Sequence, residues 1–454
     1  MKKHSDKHQN HLLQIRIHAK KPIFIGVIKK KQLIGILCIL FYITTNMHGQ
    51  HPMNPECYKT EITPIKSIDP DNTEFADLHF LKPVLSDKQI VILGESGHGD
   101  GLTFEAKTRL IKYLVENAGF TTLAFEGGGF FEMYYASERI RLGENVHTEI
   151  SNSWYNLWSN SINTAPLQNY IDKNKSSIKL LGIENQYGNN YWLAFPEIVN
   201  ALIGNSAFES IDLDGLNNNY RYYYYAQFDS AYHAKLDFPK LTEDFQTLKQ
   251  NILKSSSPHA EAMLQAIYNM ESFWRQLELN SGTYDEQNRG ISLRDSMMTE
   301  NVIWWLKRNP NDKIIIWTAN LHGAFNLNRA VYAESDDFYQ VFQPLGHRLK
   351  QTYGDNVFSI AFTSTEGEVA TIFENEGWEI NIDKSSWDYE MSKHILYDYA
   401  FVNFENIRAK KECSNLNFNS TILGYKSHYG RWFTIFDGVF FIRKMERAVK
   451  QPSN

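Results

Sequence analysis

Five short apolar runs constrain this chain more than any other feature. They lie at residues 89–94, 121–126, 178–183, 313–317 and 356–362, and several run straight into glycine, glutamate or histidine. A run without polar alternation is buried on both faces, as strands of a parallel sheet are. Helical spacing fills the gaps. Phe104, Lys107 or Thr108, Ile111, Leu114 and Val115 repeat at helical intervals, and Gly119 supplies a stop. A second helix is expected over 131–142, and residues 437–442 read as a last strand. The glycine run at 127–129 is expected to end the second strand. Strand and helix in alternation predict an α/β fold with a mostly parallel central sheet flanked by helices.

From about 190 to 309 the strand-like runs vanish, and stretches such as 241–253 and 260–279 read as amphipathic helices. The expected organisation is therefore a core begun in residues 50–190 and resumed in 310–454. Residues 191–309 are expected to form a helical insertion that makes one wall of an active-site cleft.

The first 49 residues stand apart. They hold nine Lys or Arg against the single acid Asp6, so without them the net charge of −6 becomes about −14. A body that acidic has no general attraction for nucleic acid or anionic lipid. Lys29-Lys30-Lys31 precede an apolar run from Leu33 to Ile43, the length of a signal h-region and short for a membrane span. Residues 1–49 are read as a signal peptide and the protein as exported to the periplasm; an uncleaved anchor is the alternative. Cys57 and Cys413 remain after cleavage, either as a disulfide in an oxidising compartment or as two separate thiols. Oligomeric state is not readable from these patterns.

Chemistry is expected where the strands end, because open α/β sheets bind ligands outside the carboxyl ends of their strands. The first run ends in Gly94-Glu95-Ser96-Gly97-His98-Gly99. There Glu95 can orient His98 as a general base for water, or the histidine simply caps the next helix. The second run ends in Glu126 before three glycines, and that carboxylate either positions water or caps a helix. The fourth is followed by Thr318-Ala319-Asn320-Leu321-His322, where His322 is an acid, a metal ligand or a structural residue. Arg294-Asp295 lies on a predicted helix, where the arginine can bind a substrate oxygen or a tetrahedral anion. The tyrosines from 220 to 225 line an apolar pocket or the buried face of the helical region. A G-x-S-x-G elbow, a P-loop, an H-E-x-x-H motif and a dinucleotide fingerprint are all missing, so serine-hydrolase chemistry has no support.

Taken in order, these motifs resemble the erythromycin esterase family across roughly residues 65–445. The matching elements are the loop 94–99, Lys107, Glu126, Gly182-Ile183-Glu184, Arg294-Asp295 with Met298 and Asn301, the segment from Trp317 to His322, Leu345-Gly346, and Phe436-Asp437-Gly438. The resemblance implies a hydrolase that opens a macrolactone or related ester by direct attack of water, without an acyl-enzyme and without a cofactor or metal. It makes His98 the base, Glu95 and Glu126 its assistants, and His322 a fourth catalytic group. Arg294, Lys107 and Asn320 become substrate-binding residues, with a small-molecule ester as the partner. Ala319 stands where several members carry the first histidine of an H-N-x-H motif, which removes a substrate-handling group and leaves the identity of the ester open. Two other readings compete. One is a metal-dependent hydrolase with Glu95, His98, Glu126 and His322 as ligands for Zn or Mn. The other is a non-catalytic protein that binds its ligand on the same fold.

Overall fold

A run such as Ile90-Val91-Ile92-Leu93 leaves no polar side, and all four residues are buried. Ile90 and Ile92 enter one core and Val91 and Leu93 the other, so this strand lies between two packed layers. The computed structural model describes residues 54–186, 189–226, 230–280, 282–331 and 338–452. The expected signal segment, residues 1–49, lies outside them.

The strands are β1 (Ile62–Ile65), β2 (Ile90–Leu93), β3 (Thr122–Gly129), β4 (Lys179–Glu184), β5 (Ile314–Trp317), β6 (Ala330–Val331), β7 (Val357–Val369), β8 (Trp378–Glu379), β9 (Tyr399–Asn403), β10 (Phe418–Ser420), β11 (His428–Gly430) and β12 (Gly438–Met445). The nine-stranded central sheet runs β1-β9-β12-β7-β2-β5-β3-β4, with β8 against the far end of β7. The pairings among β12, β7, β2, β5, β3 and β4 are all parallel. Those of β1 with β9, β9 with β12, and β7 with β8 are antiparallel. The fold is thus the mostly parallel α/β sheet expected, with an antiparallel margin that the apolar runs did not announce. A small second sheet has the order β10-β11-β6.

Register decides where chemistry can gather. Leu93 lies opposite Trp317 on one side and Ile360 on the other, and Phe125 also faces Trp317. The residues that follow β2, β5 and β3 therefore emerge at one edge. β3 itself corrects an expectation. It continues through the glycines at 127–129, with a register shift against β4 between Phe125 and Gly129. Gly127 takes φ +69°, and a Cβ there would lie 2.3 Å from Trp158 Cζ3. Glycine allows a bulge beneath that indole, so the strand bends instead of ending.

Helix α1 (Gly101–Ala118) packs on one face of the sheet and ends at Gly119, φ +73°. On the other face lie α2 (Phe130–Arg141), α3 (Phe238–Leu253), α4 (Ala260–Asn280), α5 (Tyr284–Arg308) and α6 (Leu345–Tyr353). Their apolar residues join Ile90, Ile92, Ile314 and Ile316 in one core. No strand occurs among the described residues between β4 and β5. A capping box between Thr283 and Glu286 starts the long α5. Cys57 and Cys413 form a disulfide across 356 residues of sequence. No helix of the described residues is long and apolar enough to cross a membrane.

Candidate active site

Two charged clusters sit side by side at the carboxyl edge. The first is built on Glu95, which β2 delivers just past its end and which is buried. Its Oε1 lies 2.9 Å from His98 Nδ1 and accepts a hydrogen bond from Trp158 Nε1 at 3.1 Å. Its Oε2 accepts from Lys107 Nζ at 2.6 Å, and both side chains of that ion pair are fully buried. Lys107 also donates to the Thr318 carbonyl at 3.1 Å and rests 4.3 Å over the Trp317 ring. Burial pulls the ammonium below the usual lysine range, while Glu95 resists.

His98 is fixed at one nitrogen and open at the other. Nδ1 faces Glu95, the ring meets Trp158 edge-on at 5.1 Å, and 30% of the side chain is exposed. No partner for Nε2 occurs among the described residues. Burial works to lower its pKa, but the Glu95 hydrogen bond and the charges of Glu126 and Glu95 outweigh it, so the imidazole stands above its ordinary value of 6.5.

The second cluster centres on Arg294 of α5. Its Nε and Nη2 bind the Glu184 carboxylate at the end of β4, at 3.0 to 3.1 Å and 2.5 Å. Nη2 also reaches Glu126 Oε1 at 3.0 Å, and Nη1 lies 2.9 Å from His322 Nε2. A guanidinium has five N–H donors, so one hydrogen on Nη1 is left for a guest. Glu126 Oε2 accepts from Thr318 Oγ1 and from the Ala319 amide, both at 2.7 Å. Burial would raise the Glu126 carboxyl, but His322 and Arg294 hold it well below the usual range. Thr318 links the clusters, binding Lys107 through its carbonyl and Glu126 through its hydroxyl.

His322 follows β5 and is buried between Asp295, 2.9 Å from Nδ1, and Glu126, 3.4 Å from Nε2. Burial opposes its charge, but Asp295 and Glu126 prevail over Arg294 and push it up to about 10. Arg294 can only donate, so its contact at 2.9 Å requires a lone pair on Nε2. A proton on Nε2 would oppose that donor and face Glu126 Oε1, 3.4 Å away.

The remaining expected residues are placed as follows. Asn320 donates to the carbonyls of Phe362 at 2.8 Å and Ile422 at 2.7 Å and accepts from the Phe362 amide at 3.1 Å. Its Nδ2 also donates to Ser96 Oγ at 3.1 Å, so the buried side chain is spent on tying these loops together. Lys107 touches Glu95 and Thr318 and is sealed from solvent. Ser96 Oγ, the hydroxyl nearest His98 in sequence, faces the carbonyls of Phe362 and Ile422 rather than a base. Sequence reasoning missed Trp158 and Thr318 and left Glu184 and Asp295 without roles. Glu184 at a strand end was the one with a positional signal.

The four residues offered as metal ligands do not converge. Among the described residues no three His, Cys, Asp or Glu side chains are arranged to hold a metal ion. Cations of the chain already fill the spaces between the carboxylates: Lys107 at Glu95, Arg294 between Glu126 and Glu184.

The profile of the erythromycin esterase family matches residues 115–398. Erythromycin esterase type II of Escherichia coli is 25% identical over 343 residues, 70% of this chain and 78% of that protein. The putative hydrolase YbfO of Bacillus subtilis (strain 168) is 28% identical over 333 residues, 66% and 71% of the two chains. A crystal structure of a Bacillus cereus protein superposes with a TM-score of 0.66 at 19% identity, covering 87% of this chain and 97% of that one. A mutant erythromycin esterase in its open conformation superposes at 0.57 with 15% identity, over 85% and 97%. The two structural likenesses speak for the fold alone.

Proposed function

Because the chain belongs to the erythromycin esterase family of hydrolases, we propose that it cleaves a carboxylic ester or macrolactone with a water activated by His98. One observation carries the reading: His98 is locked to Glu95 through Nδ1, while 30% of its side chain stays exposed and Nε2 has no partner among the described residues. An imidazole so held is in the correct tautomer to take a proton at Nε2. Its raised pKa makes it a stronger base than free histidine.

The proposed course is as follows. Nε2 of His98 accepts a proton as the water oxygen bonds to the ester carbon, and the carbonyl π pair moves to oxygen. The resulting oxyanion meets the spare Nη1 hydrogen of Arg294, and Glu126 and Glu184 keep that guanidinium in place. Collapse expels the alkoxide, which takes a proton from His322 Nε2 or from His98. The products are an acid and an alcohol. Lys107 and Asn320 act here as supports, one keeping a cation at Glu95 and the other holding the loops. Neither Ser96 nor Thr318, the hydroxyls beside these clusters, is poised to form an acyl-enzyme, since Ser96 is committed to carbonyls and Thr318 is buried against Glu126.

The Cys57–Cys413 disulfide supports an oxidising compartment and hence export, as does the basic-then-apolar leader. The identity of the ester is best approached with a panel of simple esters and macrolides. Hydrolysis by the protein beside His98→Ala tests the proposal. Loss of the base should reduce kcat by about 10²–10⁴-fold, with chelator having no effect. A variant as active as the parent, or activity that a chelator abolishes and one ion restores, would overturn it.

A further inference from the structure

The His98 loop is fastened from a turn more than three hundred residues away. Ile422 offers its carbonyl to Ser96 Oγ and to Asn320 Nδ2, each at 2.7 Å. Three residues on, Tyr425 donates its hydroxyl to Asp100 Oδ2 at 2.9 Å, and the same oxygen accepts the Gly97 amide at 3.0 Å. The turn is built for this reach. Gly424 and Tyr425 both take left-handed conformations, φ +63° and +60°, which a tyrosine adopts only when its surroundings insist. Asp388 anchors the near side by accepting the Thr421 amide at 2.7 Å and the Ser420 hydroxyl at 3.2 Å. Asp100 is wholly buried, and its Oδ1 has no hydrogen-bond partner among the described residues.

We propose that Asp100 and Tyr425 are positioning residues that hold His98 at its working angle, a role that rests on the hydrolytic reading above. Asp100 touches neither substrate nor reacting atoms. It acts through the Gly97 amide, one residue before His98, and Tyr425 acts through Asp100. An ionised Oδ2 binds both donors strongly, and a protonated carboxyl binds them less well.

Burial pushes the Asp100 carboxyl up to about 7, against the pull of Tyr425 and the Gly97 amide. The charged groups facing it are Glu95, which adds to the rise, His98, which opposes it, and Lys107 from α1. Arg447 adjoins Asp100 through backbone only, its guanidinium turned to Glu368 and to the Asn375 carbonyl. The loop is therefore firm above about pH 7 and loosens below it.

The test reads the loop without any substrate. Hydrogen exchange of the segment carrying Gly97 is followed by mass spectrometry from pH 5.5 to 8.5 in the full chain and in Tyr425→Phe. Protection of the parent should fall as pH drops through about 7. In the variant it should be lower by roughly 10- to 100-fold at pH 8, the size of one hydrogen bond to a charged acceptor, with the midpoint moved upward. On any ester the parent cleaves, the variant should lose kcat with KM kept, and its rising pH limb should move the same way. Equal loop protection in the two proteins, or a loss spread evenly over the whole sheet, overturns the proposal. If Tyr425→Phe does not fold, the parent's pH series decides, and flat protection refutes. Loop behaviour as expected with no ester cleaved would sink the hydrolytic reading and reduce the part played by the two residues to anchoring the loop.

Discussion

Replacing Lys107 with methionine should be the most costly single change at the carboxyl edge, although the residue is invisible from outside. Lys107 Nζ and Glu95 Oε2 lie 2.6 Å apart with both side chains fully buried. At an effective dielectric of about 20, two unit charges at that spacing attract by about 6 kcal/mol. Part of that offsets the cost of desolvating both, so the pair itself adds less. Removing one partner is different, because the other stays behind. Glu95 would keep His98 and Trp158 at Oε1 and have a bare Oε2. Breaking a buried pair this way costs about 3–5 kcal/mol, and the lost contact with Trp317 adds to it.

Urea denaturation with linear extrapolation measures the effect. Lys107→Met should lower stability by about 3–5 kcal/mol at pH 8. The deficit should shrink at acidic pH, where a bare buried carboxylate escapes its penalty by taking a proton. The double variant Glu95→Gln with Lys107→Met should recover most of the loss, since no charge is left unpaired. A single-variant cost below about 1 kcal/mol, or a double variant worse than the sum of the singles, would refute the reasoning.

Three further outcomes follow from the same geometry. His98 stands above 6.5 because Glu95 and Glu126 outweigh burial, so any hydrolytic rate should rise through a limb above pH 6.5; Glu95→Gln removes a raising charge and should move that limb down. His322 is raised to about 10, so its stabilising contribution is complete below about pH 6.5 and is lost as pH climbs through about 10. Asp295→Asn should flatten that alkaline decline in urea midpoints taken at pH 6, 8 and 10. Serine at Cys57 should cost about 2–5 kcal/mol, and reductant should lower the Tm of the parent but not of the variant.

Much of this was legible in sequence for a simple reason. The runs that became β2, β3, β4 and β5 are too short and too apolar to be anything but buried strands, so the polar residue after each was bound for one edge. Glu95, Glu126 and His322 were found by position, and Glu184 was picked out only by the family resemblance. The strand β1 escaped because it is the edge strand and only Ile65 of its four residues is buried, whereas β9 was overlooked although Ala400, Phe401 and Val402 form a buried apolar run. Side-chain direction was less accessible still. Asn320 and His322 are two apart after the same strand, yet one is buried in backbone contacts and the other meets Arg294. Trp158 reaches Glu95 and Tyr425 reaches Asp100 across 63 and 325 residues, and no local pattern encodes such meetings.

The charge balance explains why two histidines share this edge. Glu95, Glu126, Glu184 and Asp295 are four buried carboxyl groups, and Lys107 and Arg294 are the permanent cations among them. Counted as ionised, they leave a deficit of two positive charges in a setting where water screens little. Each histidine can supply one, which is the common reason that both pKa values are raised. The histidines differ in what they face. His322 is enclosed by Asp295, Glu126 and Arg294, so its proton is held tightly and released only at high pH. His98 has one carboxylate at Nδ1 and an exposed edge, so its proton is the one that exchanges with a guest. On the proposed mechanism, water activation at His98 would leave it protonated and complete half of the missing positive charge, so the surrounding carboxylates would favour the proton transfer that attack requires. The same balance shows what a metal ion would have to displace: at Glu126 and Glu184 it would compete with a guanidinium already bound to them through Nε and Nη2.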